Sequence, residues 1–465
     1  MFRKMDSRKH TTVVVLAVLG FVLFVPDFAN ADETGLRIGI AATKITPDEP
    51  IRMSGYASRN KPSEGVLLDL HAKAMAFEDG KGERAVLITA DVIGFNAKVA
   101  EFISAQITTE TGLERRQIML NPSHTHTGPV IGIPGATGYD LEGDDLKCVH
   151  NYAVTLANKL TKITAAALAD LKPAKVSWGI GVTNIVMNRR EFTERGIRLG
   201  FNPRGYVDRS VPVLRVDNSD GTLRAIVFGC ACHNTTLTGD HYVLSGDYAG
   251  FAQEFIEKQH PGVQAMFMIG CGGSANPHPR GTIEAVQVNG RSLGAEVCRV
   301  LTEPLVPIRG PLRAELDYAD LPLEPVPPRS QLEAMVKGPG YIAYNARQML
   351  EAVDKGEPLP TKYSSPFALW QFGEDLTLVA MSGEVVNGYV PLVESAIGPR
   401  KLWIAAYAND CFGYLPTTKV LVEGGYETRC LYNEPGFFAP HVQQVVIDKI
   451  VKMAEKVGRQ MPLKN

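Results

Sequence analysis

"RQIMLNPSHTHTGP", residues 116–129, joins a short apolar run to two histidines one residue apart. The run "RQIML" reads as a buried strand that stops where Asn121-Pro122 breaks it. If the segment beyond is extended, His124 and His126 share a face and both imidazoles point the same way. Two readings follow. The pair belongs to an ordinary polar turn, or it is half of a metal site whose other half lies elsewhere in the chain.

The apolar run has company. "RAVLITADV" (84–92), "RAIVFGCA" (224–231), "AMFMIG" (265–270), "LTLVAM" (376–381) and "LWIAAY" (402–407) also read as buried strands. Stretches with a 3.6-residue period lie between them, such as "VHNYAVTLANKLTKITAAALADL" (149–171) and "NGRSLGAEVCRVLTEPL" (289–305). Short strands alternating with helices predict an α/β fold, a layered mixed sheet with helices, in one large domain. The proline-rich stretch 303–330 reads either as a linker or as an edge strand leading into the helix "QLEAMVKG". There is no internal repeat.

Most of the predicted strands end in small residues followed by a group capable of chemistry. His124 and His126 follow "RQIML", His233 follows "IVFGCAC", Ser274 follows "MFMIGCGG", Glu384 follows "LVAMSG" and Tyr414 follows "IAAYANDCFG". In layered α/β proteins ligands bind beyond the carboxyl ends of the strands, where loops converge over a rigid sheet. Those positions therefore predict one pocket. A lone histidine such as His233 is also what a packed core accommodates. Glu384 is harder to assign to packing, because a carboxylate framed by apolar residues must be paired, protonated or metal-bound. Two neutral imidazoles and a carboxylate have the donor chemistry of a hydrolytic zinc site. The residues point to a metallohydrolase.

The chain has 465 residues, 45% of them hydrophobic and 21% charged, with a formal charge of −2. Nothing in it forms the basic face that nucleic acid requires. "MFRKMDSRKH", an apolar run and "FANADE" predict a signal peptide over residues 1–31, cleaved after Ala31, and hence a secreted or periplasmic protein. A membrane anchor is the alternative. The leader carries four basic and two acidic residues, which leaves −4 on the remaining domain, 32–465. Of the seven cysteines, Cys411 and Cys430 flank a loop that a disulfide could close, while Cys230 and Cys232 alternate within an apolar strand and read as packing.

Taken together, these stretches resemble the neutral (non-lysosomal) ceramidase family, zinc amidases that split the N-acyl bond of ceramide. "IGIAATKITPDEPIRMSGYA" is similar to the family's opening, and "SHTHTGP" to its T-H-T-H-S-G-P signature. "CHNTTLTGDHYVLSGDYAG" is similar to its second histidine segment, "SGEVV" to its G-E-x-T, and "GYLPTTKVLVEGGYE" to its paired-tyrosine block. The resemblance implies a catalytic domain of the ceramidase type with His124, His233, Glu384 and Tyr414 as zinc ligands. His126 then faces the substrate as a proton shuttle. Tyr426 and Arg189, from "MNRRE", hold the carbonyl or its oxyanion. From spacing alone, Tyr414 reads as an aromatic closing a loop. In the family the zinc lowers the pKa of a bound water from 15.7 toward about 7, which makes it the attacking nucleophile.

Two departures bear on the substrate. The family's G-D-x-S-P-N loop stands here as "CGGSANPHPRG", which keeps Ser274 and Asn276 but neither the aspartate nor the first proline. The sequence ends at Asn465, which leaves no room for the immunoglobulin-like C-terminal domain common in the family. The resemblance thus implies a lipid or small amphipathic N-acyl substrate, with peripheral membrane contact. The alternatives are a zinc hydrolase for another amide or ester, such as an acylated sugar or peptide, and a catalytically silent binding protein.

Overall fold

The computed structural model describes residues 35–134, 139, 141–338, 340–428, 431–432 and 434–462. Its larger sheet runs in the order Gln264–Ile269, Leu223–Cys230, Ser210–Asn218, Lys172–Val182, Leu36–Lys44, His71–Asp79, Arg84–Ala90, Ile118–Pro122. Val306–Ile308 is its ninth strand and pairs with Lys172–Val182. The pairs at the two ends of that order are parallel and those between are antiparallel. A second sheet of four strands comprises Leu312–Pro322, Lys362–Phe372, Leu376–Ala380 and Leu402–Ala405.

One face of the larger sheet packs on the second sheet through Met75, Phe77, Trp178 and Met266 on one side and Trp370, Phe372 and Trp403 on the other. All three tryptophans of the chain lie in this layer. Alternate residues, such as Ala74, Ala76, Val86 and Ile88, face the opposite way, toward helices Ala97–Thr111 and Gly143–Ala169. Helices Asp247–Gln259 and Ile283–Val300 cover the rest of that face, and Tyr389–Ile397 and Val442–Lys456 cover the outer face of the second sheet. The order is helices, sheet, sheet, helices. Strands covered on both faces read as continuous apolar runs, which is why the parallel ones stood out in the sequence.

The mixed α/β architecture agrees with expectation, with a four-stranded second layer and three sheets of two or three strands beside the one layered sheet foreseen. Three boundaries differ. Arg115–Gln117 form a 3-10 turn, so that strand is Ile118–Pro122. The long helix expected from 149 starts earlier, at Gly143. The helix expected over 289–305 spans Ile283–Val300, because the Thr282 side chain caps its start and the chain leaves after it to pair as Val306–Ile308. Within the proline-rich stretch, Leu312–Pro322 is an edge strand matched to Lys362–Phe372, and helix Arg329–Val336 follows. The leader over 1–31 and Cys430, with its suggested bridge to Cys411, lie outside the described residues. No helix among the described residues is long and apolar enough to cross a membrane.

The carboxyl ends of three strands are drawn together by a single buried side chain. Asn121 Oδ1 accepts from Ile269 N (3.0 Å) and its Nδ2 donates to Ala406 O (2.9 Å). This ties Ile118–Pro122, Gln264–Ile269 and Leu402–Ala405 at one point, the place where the chemically capable residues follow.

Candidate metal centre

Short backbone pairings bring the residues into register. Thr125 pairs with Asn234, and His126 N donates to Asn234 O (3.2 Å), which sets His124 and His126 beside His233. Glu384–Val385 pairs in parallel with Tyr414–Leu415. Gly273 N donates to Val385 O (2.8 Å) and His233 N to Ala275 O (3.1 Å), so the "CGGS" loop lies between the two pairs. Glycine is required there: a Cβ on Gly273 would sit 2.5 Å from Glu384 O, and one on Gly272 would sit 3.0 Å from His233 N.

The donor atoms converge. Glu384 Oε2 lies 2.9 Å from His233 Nε2 and 3.4 Å from His124 Nε2. Tyr414 Oη is 3.4 Å from His233 Nε2, and His126 Nε2 is 3.2 Å from His124 Nε2. Ligand atoms held about 2.0 Å from a tetrahedral zinc stand roughly 3.3 Å apart, close to these separations. The three imidazoles also offer nitrogens that all lie within 4.8 Å of one another. His124, His233, Glu384 and Tyr414 are buried, whereas His126 keeps a partly exposed edge.

The tautomers are set from behind. His124 Nδ1 lies 2.6 Å from Ile93 O and His233 Nδ1 2.8 Å from Gly272 O. A carbonyl only accepts, so each Nδ1 carries a proton, and Nε2 is the ring atom turned toward Glu384. Burial pushes His233 down to about 4, with Arg189 adding to the effect, so it is neutral near pH 7. Burial works to raise the Glu384 carboxyl, but His124 and His233 outweigh it and hold it well below the usual range. Two Nε2 atoms thus stand 2.9 and 3.4 Å from one carboxylate oxygen, spacings that suit ligand atoms sharing one cation.

The backbone is specialised around this point. His124 (φ 58°), Tyr407 (φ 58°) and Asn409 (φ 64°) are left-handed, a conformation costing about 1–3 kcal/mol each for residues with a side chain. Two-way bonding between Asn409 and Leu120 and a bond from Tyr407 N to Gly383 O (3.0 Å) hold it in place. The Tyr407 ring packs against His124, with centroids 4.3 Å apart.

Arg189 reaches the centre and Arg190 does not. Arg189 Nη2 donates to Tyr414 Oη (2.9 Å), while its Nε donates to buried Glu427 (2.9 Å). Arg190 bonds Glu427 as well, then turns to Glu423 and Gly424 O. Tyr426 lies edge-on to Tyr414 at 5.4 Å, with Arg189 over its ring at 5.6 Å. Burial pushes the Tyr414 phenol well up against the opposing pull of Arg189. The Ser274 hydroxyl donates to Asn387 Oδ1 (2.8 Å) and accepts from Asn387 N (3.1 Å). Asn276 of the same loop accepts from Arg189 (3.3 Å).

Sequence reasoning missed Glu427 and Tyr432. Tyr432 donates to Glu384 Oε1 (2.6 Å). Glu427 directly follows Tyr426, so the pair Arg189-Arg190 and a nearby unpaired acid were its only signal. Tyr432 lies in "LYNEPG", which carries no periodic pattern.

Known proteins share this framework. The chain is 25% identical to neutral ceramidase A of Dictyostelium discoideum over 58% of its own length and 41% of that protein's. It is 23% identical to a neutral ceramidase of Pseudomonas aeruginosa over 97% of its own length and 77% of that protein's. The crystal structure of neutral ceramidase from Pseudomonas aeruginosa superposes with a TM-score of 0.70 at 19% identity, covering 93% of this chain and 76% of that one. The family model of the neutral/alkaline non-lysosomal ceramidase N-terminal region matches residues 36–279, more than half of the 465, and the chain belongs to that family.

Proposed function

We propose that this protein is an exported, zinc-dependent amidohydrolase that cleaves the N-acyl bond of ceramide or a related N-acyl lipid. The observation that carries the reading is the convergence of the His124 and His233 Nε2 atoms on one Glu384 oxygen, with Tyr414 beside them. Two imidazoles, a carboxylate and a phenol suit zinc, so His124, His233, Glu384 and Tyr414 are the residues that would hold it. The lipid part of the reading is supported by relatives named neutral ceramidases. A cavity of about 810 Å³ beside Tyr426, lined by Ile197, Leu199, Met335, Ile342 and Phe437, supports it too. Each methylene of an acyl or sphingoid chain buried in such a groove contributes about 0.8 kcal/mol.

A bound zinc ion supplies a water of near-neutral pKa and a Lewis acid for the carbonyl. The chain's own residues do the rest. His126 is held well below 6.5 by burial, with His124 and His233 adding to it, so it is a neutral proton acceptor at pH 7. Its partly exposed edge suits a group that takes a proton during attack and returns it to the departing amine. Tyr426 donates a hydrogen bond to the carbonyl oxygen as negative charge builds there. Arg189, pinned by Glu427, keeps the Tyr414 oxygen pointed at the histidines. With Ser274 committed to Asn387, the headgroup meets a different surface, which favours a related N-acyl lipid as much as ceramide.

The test is metal content of purified protein and of its His124→Ala and His233→Ala variants, with fatty-acid release from an N-acylsphingosine assayed on the same samples. About one zinc per chain, lost in both variants and tracked by hydrolysis, is expected. Zinc without hydrolysis would leave a hydrolase of another amide or ester. No metal after reconstitution would reject the enzyme reading.

A further inference from the structure

We infer that Tyr432 is a positioning residue for the carboxylate of Glu384, fixing which of its oxygens faces the metal. The inference rests on the metal reading above and adds a group outside the four donors. Glu384 has two oxygens in different surroundings. Oε2 faces His233 (2.9 Å) and His124 (3.4 Å), while Oε1 accepts from the Tyr432 hydroxyl at 2.6 Å. A phenol–carboxylate bond of that length is charge-assisted and among the stronger hydrogen bonds a protein makes. With Oε1 taken, the carboxylate presents one oxygen to the ligand cluster. Without it, both oxygens are free to rotate toward a cation.

The segment carrying Tyr432 is tied down on both sides. Tyr432 N donates to Phe412 O (2.9 Å), two residues before Tyr414. Asn345, fully buried on helix Gly340–Lys355, donates to Leu431 O (3.3 Å) and Glu434 O (2.7 Å) and accepts from Gly436 N (3.1 Å). The Tyr432 ring stands edge-on to Tyr414 with centroids 6.3 Å apart. The hydroxyl is thus aimed from a fixed backbone. Partners of this kind orient a metal ligand, and their loss costs about 10–100-fold in metal affinity.

The experiment compares Tyr432→Phe with wild type and with Tyr152→Phe, which loses the bond of another buried tyrosine hydroxyl, to Ile45 O (2.7 Å), on helix Gly143–Ala169. Zinc affinity is measured by competition with a chelating dye, the visible spectrum is recorded on the cobalt-substituted proteins, and thermal midpoints are taken on the metal-stripped ones. Tyr432→Phe should bind zinc about 10–100-fold more weakly. Its cobalt band should change, whereas Tyr152→Phe should keep the zinc affinity and cobalt band of wild type even where its metal-free midpoint falls as far as that of Tyr432→Phe. Affinity within twofold of wild type and an unchanged cobalt band in Tyr432→Phe would overturn the inference. So would an equal loss of zinc affinity in Tyr152→Phe. Wild type that binds no zinc would fail the metal reading itself, a separate result.

Discussion

Glu78 and Glu427 each stand between two arginines, at opposite ends of the fold. Glu78, itself only 7% exposed, pairs with Arg37 and Arg84 at the end of the larger sheet remote from the histidines, but both arginine side chains are 49% exposed and reach water. Glu427 pairs with Arg189 and Arg190 behind Tyr414, where the arginines are 5% exposed and the glutamate 0%. The chemistry is the same and the consequence is not. Water screens the first cluster and shares its bonds, so each pair contributes at most about 1 kcal/mol. In the second, every charge depends on the others for solvation. Burial works to raise the Glu427 carboxyl, and Arg189 and Arg190 outweigh it and hold it below the usual range. Its contribution to stability is therefore present above pH 4.5 and is lost as pH falls through its lowered value.

Breaking that contrast should give a graded result. Glu427→Gln leaves two buried guanidinium groups without a counter-charge and is expected to cost about 3–5 kcal/mol in denaturant unfolding at pH 7. It should also lower hydrolysis, because Arg189 loses its anchor. Loss below 1 kcal/mol would show that the buried cluster behaves like the exposed one.

Asp410 sharpens the comparison, being a fully buried carboxylate with no cation paired to it among the described residues. Tyr363 (2.8 Å) and Ser365 (3.2 Å) bond its Oδ2, yet burial pushes it up to about 7 from an ordinary 3.8. The folded state thus holds this proton more tightly than the unfolded one. The stability it contributes is complete below the unfolded value and declines as pH rises through about 7. Asp410→Asn should raise stability by about 2–4 kcal/mol at pH 8 and by distinctly less at pH 5. A pH-independent change would remove ionisation from the account. The smallest effect belongs to Glu78→Gln, within about 1 kcal/mol and shrinking further in 1 M salt. A loss as large as that of Glu427→Gln would erase the distinction between the two ends.

The parts legible in the sequence were those where one residue type answers one physical demand. Parallel strands covered on both faces need unbroken apolar runs, so "RAVLITADV" and "AMFMIG" announced themselves, and the groups following them marked the pocket. The antiparallel strand Lys172–Val182 alternates buried Val176 and Trp178 with exposed Lys175 and half-buried Ser177 and Gly179, so it forms no unbroken apolar run. The second sheet hid because its contribution is packing of Trp370 and Trp403 against the first, a relation between distant segments. Arg189 and Arg190 are adjacent on one strand, and an irregularity in its pairing between Asn188 and Arg190 decides which faces the centre. No pattern in "MNRRE" conveys that. Tyr432 was invisible for a similar reason: its value lies in one hydroxyl meeting one oxygen of Glu384, set by a loop with no periodicity.

The donors at the centre, and the groups that orient them, come from Ile93 to Tyr432, and the four donors His124, His233, Glu384 and Tyr414 are all distant from one another in the chain. No contiguous fragment therefore contains a competent pocket, and the loops that must close before the donors meet span most of the polypeptide. An ion bound there cannot nucleate assembly as it does in a small zinc finger. It acts as a seal on a finished tertiary structure, and occupancy of the centre reports that the whole chain has found its place.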